Sequence, residues 1–404
     1  MKNLKRIILS AAFASLASLA FSLETGGLVS NDSTFKNRKK DGDLKLLQKN
    51  GVNLWLRTPV SEDGQSYFAT EGEFRTEYDF NIADSDKKLT LAGDLALFKL
   101  VIKRELDAGD FQLSAGRFFN SDLSGLVYTQ NGDGAKFELN SSRFKVAAFG
   151  AYTGLLNAKN ITIIEDALDS SDLPDLSEKK KLYVLTNKYL VGAVTFTLPN
   201  IFARQTVAVE GFGTMTLESK KYNRFYGTIA LNGPIVSPVF YNVSSTLGFS
   251  KYDTNKMTKG HLTRGSIIAY PSFKSMSISL NGLYASGGTD TDKTFTAFQG
   301  FTSGTADQLL AEPEYSGIAT FGLAATIKPL PNLLCDANAD FVFDTQAGDK
   351  NDEFKNKGFQ YSAGLTFQVV SDVQIGASFG QFVGTKDYEE QNKTQLKIKA
   401  AIAF

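Results

Sequence analysis

The sequence is poor in nearly every residue that builds metal or redox chemistry. Its 404 residues include one Cys, one His and one Trp, with Pro 9 and Met 4. A lone cysteine, Cys335, closes no internal disulfide, and one Cys with one His cannot supply the clustered ligands of a zinc site. No metal or other cofactor is therefore expected. Charge of one sign is also missing: Lys+Arg 43 stand against Asp+Glu 43 with no long basic block, so the electrostatic footprint of a nucleic-acid partner is absent. After residue 22 no stretch approaches the roughly 20 continuous apolar residues of a membrane helix. What is abundant is Gly 35, Phe 32 and Tyr 15, a composition of strands and turns.

Catalytic parts are scarce as well. His261 is the one imidazole available as a base, and the sequence sets it in a loop beside Lys256, Lys259 and Arg264, cations that favour its neutral form. No Gly-x-Ser-x-Gly, His-Glu-x-x-His or P-loop occurs. Asp290 with Asp292, and Asp349 with Asp352 and Glu353, are loop carboxylates without the EF-hand layout. The chain reads as a non-enzyme.

Residues 1–22 read as a cleaved secretory signal peptide. Lys2, Lys5 and Arg6 precede an apolar stretch from Ile7 to Phe21, and Ala20-Phe21-Ser22 is a small-x-small cleavage pattern. Residues 23–49 read as a short polar lead-in. An exported chain without membrane helices is either soluble or crosses lipid as a closed β-barrel, because only closure satisfies every backbone group there.

Alternation decides between these. In 68–80, Phe74, Thr76, Tyr78 and Phe80 share one face, while Glu71, Glu73, Arg75, Glu77 and Asp79 share the other. A soluble sheet with one wet face gives the same pattern, so repetition carries the argument. Leu396, Ile398, Ala400, Ile402 and Phe404 alternate with Gln395, Lys397, Lys399, Ala401 and Ala403; 359–369 and 335–343 behave alike. Such segments are long enough to cross the hydrocarbon when tilted.

Seventeen strands can be marked: 50–59, 67–80, 88–103, 110–119, 134–140, 143–153, 183–198, 202–216, 221–232, 236–250, 263–273, 275–286, 316–328, 332–344, 357–370, 372–383 and 393–404. Single-chain barrels carry an even number, so one assignment is expected to fall, 134–140 or the first. The fold expected is an all-β, transmembrane, antiparallel up-and-down barrel over 50–404 with about sixteen strands, within roughly fourteen to eighteen. A phase change near Leu97-Phe98 predicts a bulge. Tight turns are expected at 107–109, 199–200, Asn232-Gly233-Pro234 and 329–331, and long loops at 154–182, 251–262, 287–315 and 345–356.

A barrel of this size encloses water, and outward charges would cost about 2–4 kcal/mol each for Arg or Lys at the midplane. The charged faces are therefore expected to line a mixed-charge lumen: Glu71, Glu73, Arg75, Glu77, Asp79, Asp94, Arg104, Arg117, Lys136, Glu138, Arg143, Lys145, Arg204, Glu210, Arg224, Asp336, Asp340, Lys397 and Lys399. Trp55, Tyr67, Phe80, Tyr152, Tyr222, Tyr241, Tyr270 and Tyr284 are candidates for interfacial girdles.

These features resemble the bacterial outer-membrane β-barrels of the porin type. Leu396, Ile398, Ile402 and Phe404 resemble the C-terminal signal read by the outer-membrane insertion machinery. Ala115-Gly116-Arg117-Phe118-Phe119 followed by Asp133-Gly134-Ala135-Lys136-Phe137 is similar to the Gly-Arg and Asp-Gly punctuation of porin and alginate-export-like barrels. The resemblance implies residence in outer-membrane lipid and passive diffusion of small polar solutes or ions, and trimers, common among porins, extend it to a homotrimer. The alternatives are a surface protein whose loops bind a ligand or host partner, and a barrel hydrolase.

Overall fold

The computed structural model describes residues 23–404 except 39–42, 82–86, 166–173, 175, 177–180, 219–220, 254–255, 274, 289–294, 303–309, 311–314 and 346–353. Residues 1–22, expected to be a signal peptide, and the loop carboxylates Asp290, Asp292, Asp349, Asp352 and Glu353 lie outside the described residues.

Eighteen strands are present among the described residues: β1 Glu24–Arg38, β2 Asp43–Pro59, β3 Tyr67–Asn81, β4 Lys87–Leu106, β5 Gly109–Ser121 and β6 Thr129–Ser141. They continue as β7 Lys145–Tyr152, β8 Tyr189–Leu198, β9 Thr206–Thr216, β10 Tyr222–Val236, β11 Val239–Tyr252 and β12 Thr258–Ala269. The last six are β13 Ser277–Ala285, β14 Ile318–Leu330, β15 Leu333–Asp344, β16 Lys355–Val370, β17 Val373–Gly384 and β18 Lys393–Ala403. Each strand pairs antiparallel with its sequence neighbours, and β1 pairs with both β2 and β18. The sheet therefore closes into an up-and-down barrel without an edge. No described helix is long and apolar enough to cross a membrane.

All seventeen marked segments coincide with strands, and the even count is reached by adding one rather than removing one. The addition is β1, inside the stretch expected to be a polar lead-in, and β2 also begins within it. The reason is local. The outer face of β1 alternates Val29, Asn31, Ser33 and Phe35, so the contrast between greasy and polar faces is missing. The register nevertheless seats Asp32 opposite Lys399 and Phe35 opposite Leu396, matching face to face.

Turns after even-numbered strands are short and make one rim; the opposite rim carries the long loops. The Asn232-Gly233-Pro234 turn is not one: these residues are in β10, next to a register shift, and the chain turns at Ser237-Pro238. The expected bulge is seen as a register shift where Glu71 faces Leu97 and Gly72 faces Leu95.

Candidate functional site: the lumen constriction

Part of the wall turns into the lumen. β4 and β5 pair only from Leu106 opposite Gly109 to Phe98 opposite Arg117, and β6 pairs with β7 only as far as Asp133 opposite Tyr152. β5 and β6 stay paired to Ser121 and Thr129. Above the row of Gly116 and Gly134 this hairpin belongs to neither neighbour. The two glycines face each other and permit the departure. Gly116 has φ +121, and a Cβ there would lie 2.1 Å from the Phe98 carbonyl oxygen; on Gly134 it would lie 1.9 Å from that of Gly150.

Directly above this bend Arg117 donates two 2.8 Å bonds to the Asp133 carboxylate. It also donates to Asp94 at 3.2 Å, to the Leu95 carbonyl at 3.0 Å and to the Leu155 carbonyl at 2.7 Å. The Tyr183 hydroxyl lies 3.0 Å away. Arg117 was expected to line the lumen by alternation; it is instead buried in the wall, where it bridges the seam between β4 and the departing hairpin. A bidentate pair of this kind is stable in a dry setting because the carboxylate answers the guanidinium fork.

The hairpin tip is a built turn. Asp122 accepts backbone N–H bonds from Ser124 at 2.8 Å, Val127 at 3.0 Å and Tyr128 at 2.8 Å. Burial pushes the Asp122 carboxyl up from its ordinary range, and these donors oppose the shift. Glu210 of β9 accepts the Leu123 N–H at 2.8 Å and the Thr195 hydroxyl at 2.6 Å. The Tyr128 ring packs on Phe149, Phe212 and Phe301 at 5.8, 5.3 and 6.0 Å.

Two further segments join it. Gly248 and Gly260 face each other on β11 and β12 and leave the floor on which Phe298 sits. The Phe301 and Thr302 N–H groups donate to the Val127 carbonyl, both at 2.9 Å. Ile164, from the loop after β7, donates to the Phe301 carbonyl at 2.9 Å. Arg224, fully buried on β10, donates to the carbonyls of Gly300, at 2.6 Å, and Ile164, and its guanidinium stacks 3.9 Å from the Tyr222 ring. Glu210 and Arg224 were expected to face open lumen; they anchor these inward segments instead.

The inner wall of β7 to β12 is thus covered, and open space is left against β14 to β18 and against β2 to β4. Against β2 to β4 a cavity of about 840 Å³ is lined by Lys49, Arg75, Glu77 and Lys88 of the wall, with Asn131, Lys159, Asn160 and Glu165 opposite. Lys49 and Glu77 stand 3.5 Å apart, and Arg75 donates to the Lys159 carbonyl across the gap. Glu165 accepts from the Asn187 amide at 2.9 Å, and burial raises its carboxyl above the ordinary value.

The other named charges fall into two groups. On the inner face, Glu71 accepts from Asn53 at 2.7 Å, and Glu73 faces Asp94 across the β3–β4 ladder. Lys136 pairs with Glu138 at 3.0 Å, Lys399 lies 3.7 Å from Asp32, and Asp340 accepts from Gln360 at 3.0 Å. Asp336 and Lys397 occupy one row across Gly364 and Ser378 and line a second cavity of about 420 Å³. Asp79 and Lys145 share the inner face at opposite rims, both exposed. The second group is displaced. Arg143 and Arg204 are in turns, Arg204 with φ 63, and Arg104 shares the outer face with Ile102. Alternation stops being informative at a turn, and for Arg104 the register shift between Leu95 and Leu97 moves the even-numbered residues of β4 to the outer face.

Three girdle candidates are also corrected. Trp55 faces Glu71, Tyr67 carries Arg57 and Lys99 over its ring, and Tyr222 is buried under Arg224, all on the inner side. His261 is in β12 rather than a loop; its Nε2 lies 3.0 Å from Ser245 Oγ and 2.8 Å from Thr263 Oγ1 on the outer face. Lys49, Lys88, Lys159, Asp133 and Glu165 were not foreseen. Alternation carried through 43–49 would have found Lys49, whereas nothing periodic marks the loop residues Lys159 and Glu165.

No known family model matches the sequence, and no curated relative does. Solved structures do. OprD of Pseudomonas aeruginosa is 10% identical with a TM-score of 0.58, covering 95% of this chain and 93% of that one. OccK2 (OpdF) of the same organism, solved in complex with glucuronate, is 12% identical with a TM-score of 0.58 over 95% and 98%. OccK5 (OpdH) is 11% identical with a TM-score of 0.57 over 95% and 98%. At such identities the likeness concerns architecture: this chain shares the closed antiparallel β-barrel fold of these outer-membrane proteins.

Proposed function

We propose that this protein is an outer-membrane channel through which small polar solutes diffuse passively, and that its constriction passes anions in preference to cations. The observation that carries the reading is the lining of the 840 Å³ cavity, where, among the described residues, Lys49, Arg75, Lys88 and Lys159 outnumber Glu77 and Glu165. A narrow, charge-lined passage selects by the sign of its field. The OccK2 neighbour, solved with a carboxylate sugar, supports the same direction. In this reading the leader of residues 1–22 exports the chain, and the β18 residues Leu396, Ile398, Ile402 and Phe404 present it to the insertion machinery. Passage needs no catalytic group.

The test is the reversal potential of the refolded protein in a planar bilayer under a salt gradient. The wild type should reverse on the anion side, and Lys49→Glu with Arg75→Glu should move it to the cation side. A cation-selective wild type, or a double variant with the wild-type potential, overturns the reading.

A further inference from the structure

The outer face of a membrane barrel should be apolar throughout its central band, and here it is not. On β1 to β3 two adjacent rows of the outer face read Asn31, Asn50, Thr76 and Ser33, Gln48, Tyr78. The same rows continue into Ala400 and Ile398 of β18 on one side and Leu91 and Leu89 of β4 on the other. The polar residues therefore form an island bounded laterally by aliphatic side chains.

Its height is fixed by what lies above and below. Toward the short-turn rim, the ring of Phe404 and the side chain of Leu54 close over Gly27, where a Cβ would lie 2.4 and 3.0 Å from them. Toward the other rim, Phe35, Leu46 and Phe80 form one row. Gly27 and Phe35 are eight residues apart on β1, about 26 Å along the strand and about 20 Å vertically at the usual tilt. Asn31 is midway. The island is at the centre of the apolar band, where an unanswered polar group is most costly.

Part of the island answers itself. Ser33 donates to Asn31 at 3.2 Å, Asn31 to Asn50 at 2.7 Å, and Asn50 to Thr76 at 3.3 Å. This chain satisfies one hydrogen of each Asn amide. The second amide hydrogens remain, and the Gln48 amide has no hydrogen-bond partner among the described residues. Lipid tails cannot supply the missing partners.

We infer that the outer face of β1 to β3 is an interface between two copies of this chain in the membrane, related by a two-fold axis through the island. The occupant follows from the chemistry. The island carries no charge, so it does not select a charged peptide or headgroup. Its free groups are amide hydrogens and amide oxygens together, a self-complementary set, and a two-fold axis presents each residue's surroundings to itself. Ser33 within it and Ala400 and Gly72 beside it on the outer face are small and let two walls approach closely, as small residues do between membrane segments.

The experiment is cross-linking and mass measurement in lipid. In a Cys335→Ser background, Asn50→Cys, with Thr76→Cys as a second island site, is reconstituted into bilayers and treated with a short bis-maleimide. Leu365→Cys, on the outer face of β16, is the control. Dimer should form at the island sites and not at the control. Asn31→Leu with Asn50→Leu should weaken the dimer by at least about tenfold, the scale of one or two membrane hydrogen bonds. Heat-modifiable migration confirms that this variant is a folded barrel. A monomeric wild type in nanodiscs, equal cross-linking at island and control, or a dimer unchanged in the leucine variant overturns the inference.

Discussion

Replacing Arg224 by Met should loosen the constriction without unfolding the barrel. The guanidinium joins β10 to two inward segments through the carbonyls of Gly300 and Ile164, with stacking on Tyr222 at 3.9 Å and Phe301 at 5.3 Å. Hydrogen bonds from a charged donor contribute about 1.5–3 kcal/mol each, so the two together hold the segments by about 3–6 kcal/mol, and stacking adds ~1 kcal/mol. Even about 3 kcal/mol is a hundredfold change in the ratio of docked to released segment. Methionine fills the volume but satisfies neither carbonyl. The strand ladder of β10 is untouched, so heat-modifiable migration should persist. Single-channel recordings should show a larger mean conductance and new flicker between levels, with Arg224→Lys intermediate because one point charge replaces a fork. A folded Arg224→Met channel with the wild-type conductance and noise would refute the assignment of Arg224 as an anchor.

Two further outcomes follow from the same geometry. Gly134→Ala places a Cβ 1.9 Å from a backbone carbonyl oxygen, where nothing flexible can yield; it should lower the midpoint of chemical unfolding in vesicles and disturb the conductance, whereas Gly211→Ala, whose Cβ meets open space, should change neither. Glu165 has a raised carboxyl value in the folded loop. Between the ordinary value of 4.5 and that raised value the docked loop binds more protons than a released one. Docking is therefore firmest below this window and weakens as pH rises through it. Channel closure should increase on acidification, and Glu165→Gln should remove that dependence in recordings across the window.

The strands and their inner and outer faces were legible because alternation is a property of the pleat, readable residue by residue. β1 escaped for the reason that makes it interesting: Asn31 and Ser33 stand where an outward strand ordinarily carries aliphatic residues. The Gly-Arg and Asp-Gly pairs were visible as punctuation, but their role was not. Gly116 and Gly134 become a pivot, and Arg117 with Asp133 a clamp, only once β5 and β6 are in register.

By itself the sequence determined antiparallel strands with a greasy face and a charged face, since periodicity repeated along the chain marks both, and a chain that crosses lipid with strands must close them into a barrel to satisfy every backbone group. Only the tertiary structure decided which interior charges meet water. Arg224 and Glu210 have the same alternation as Arg75 and Glu77, yet the first pair is covered and the second is open. The difference is made by partners 60 and 76 residues away from Arg224 and 87 away from Glu210. Contacts at such separation depend on where loops return across the lumen, and the local pattern of a strand carries no record of that.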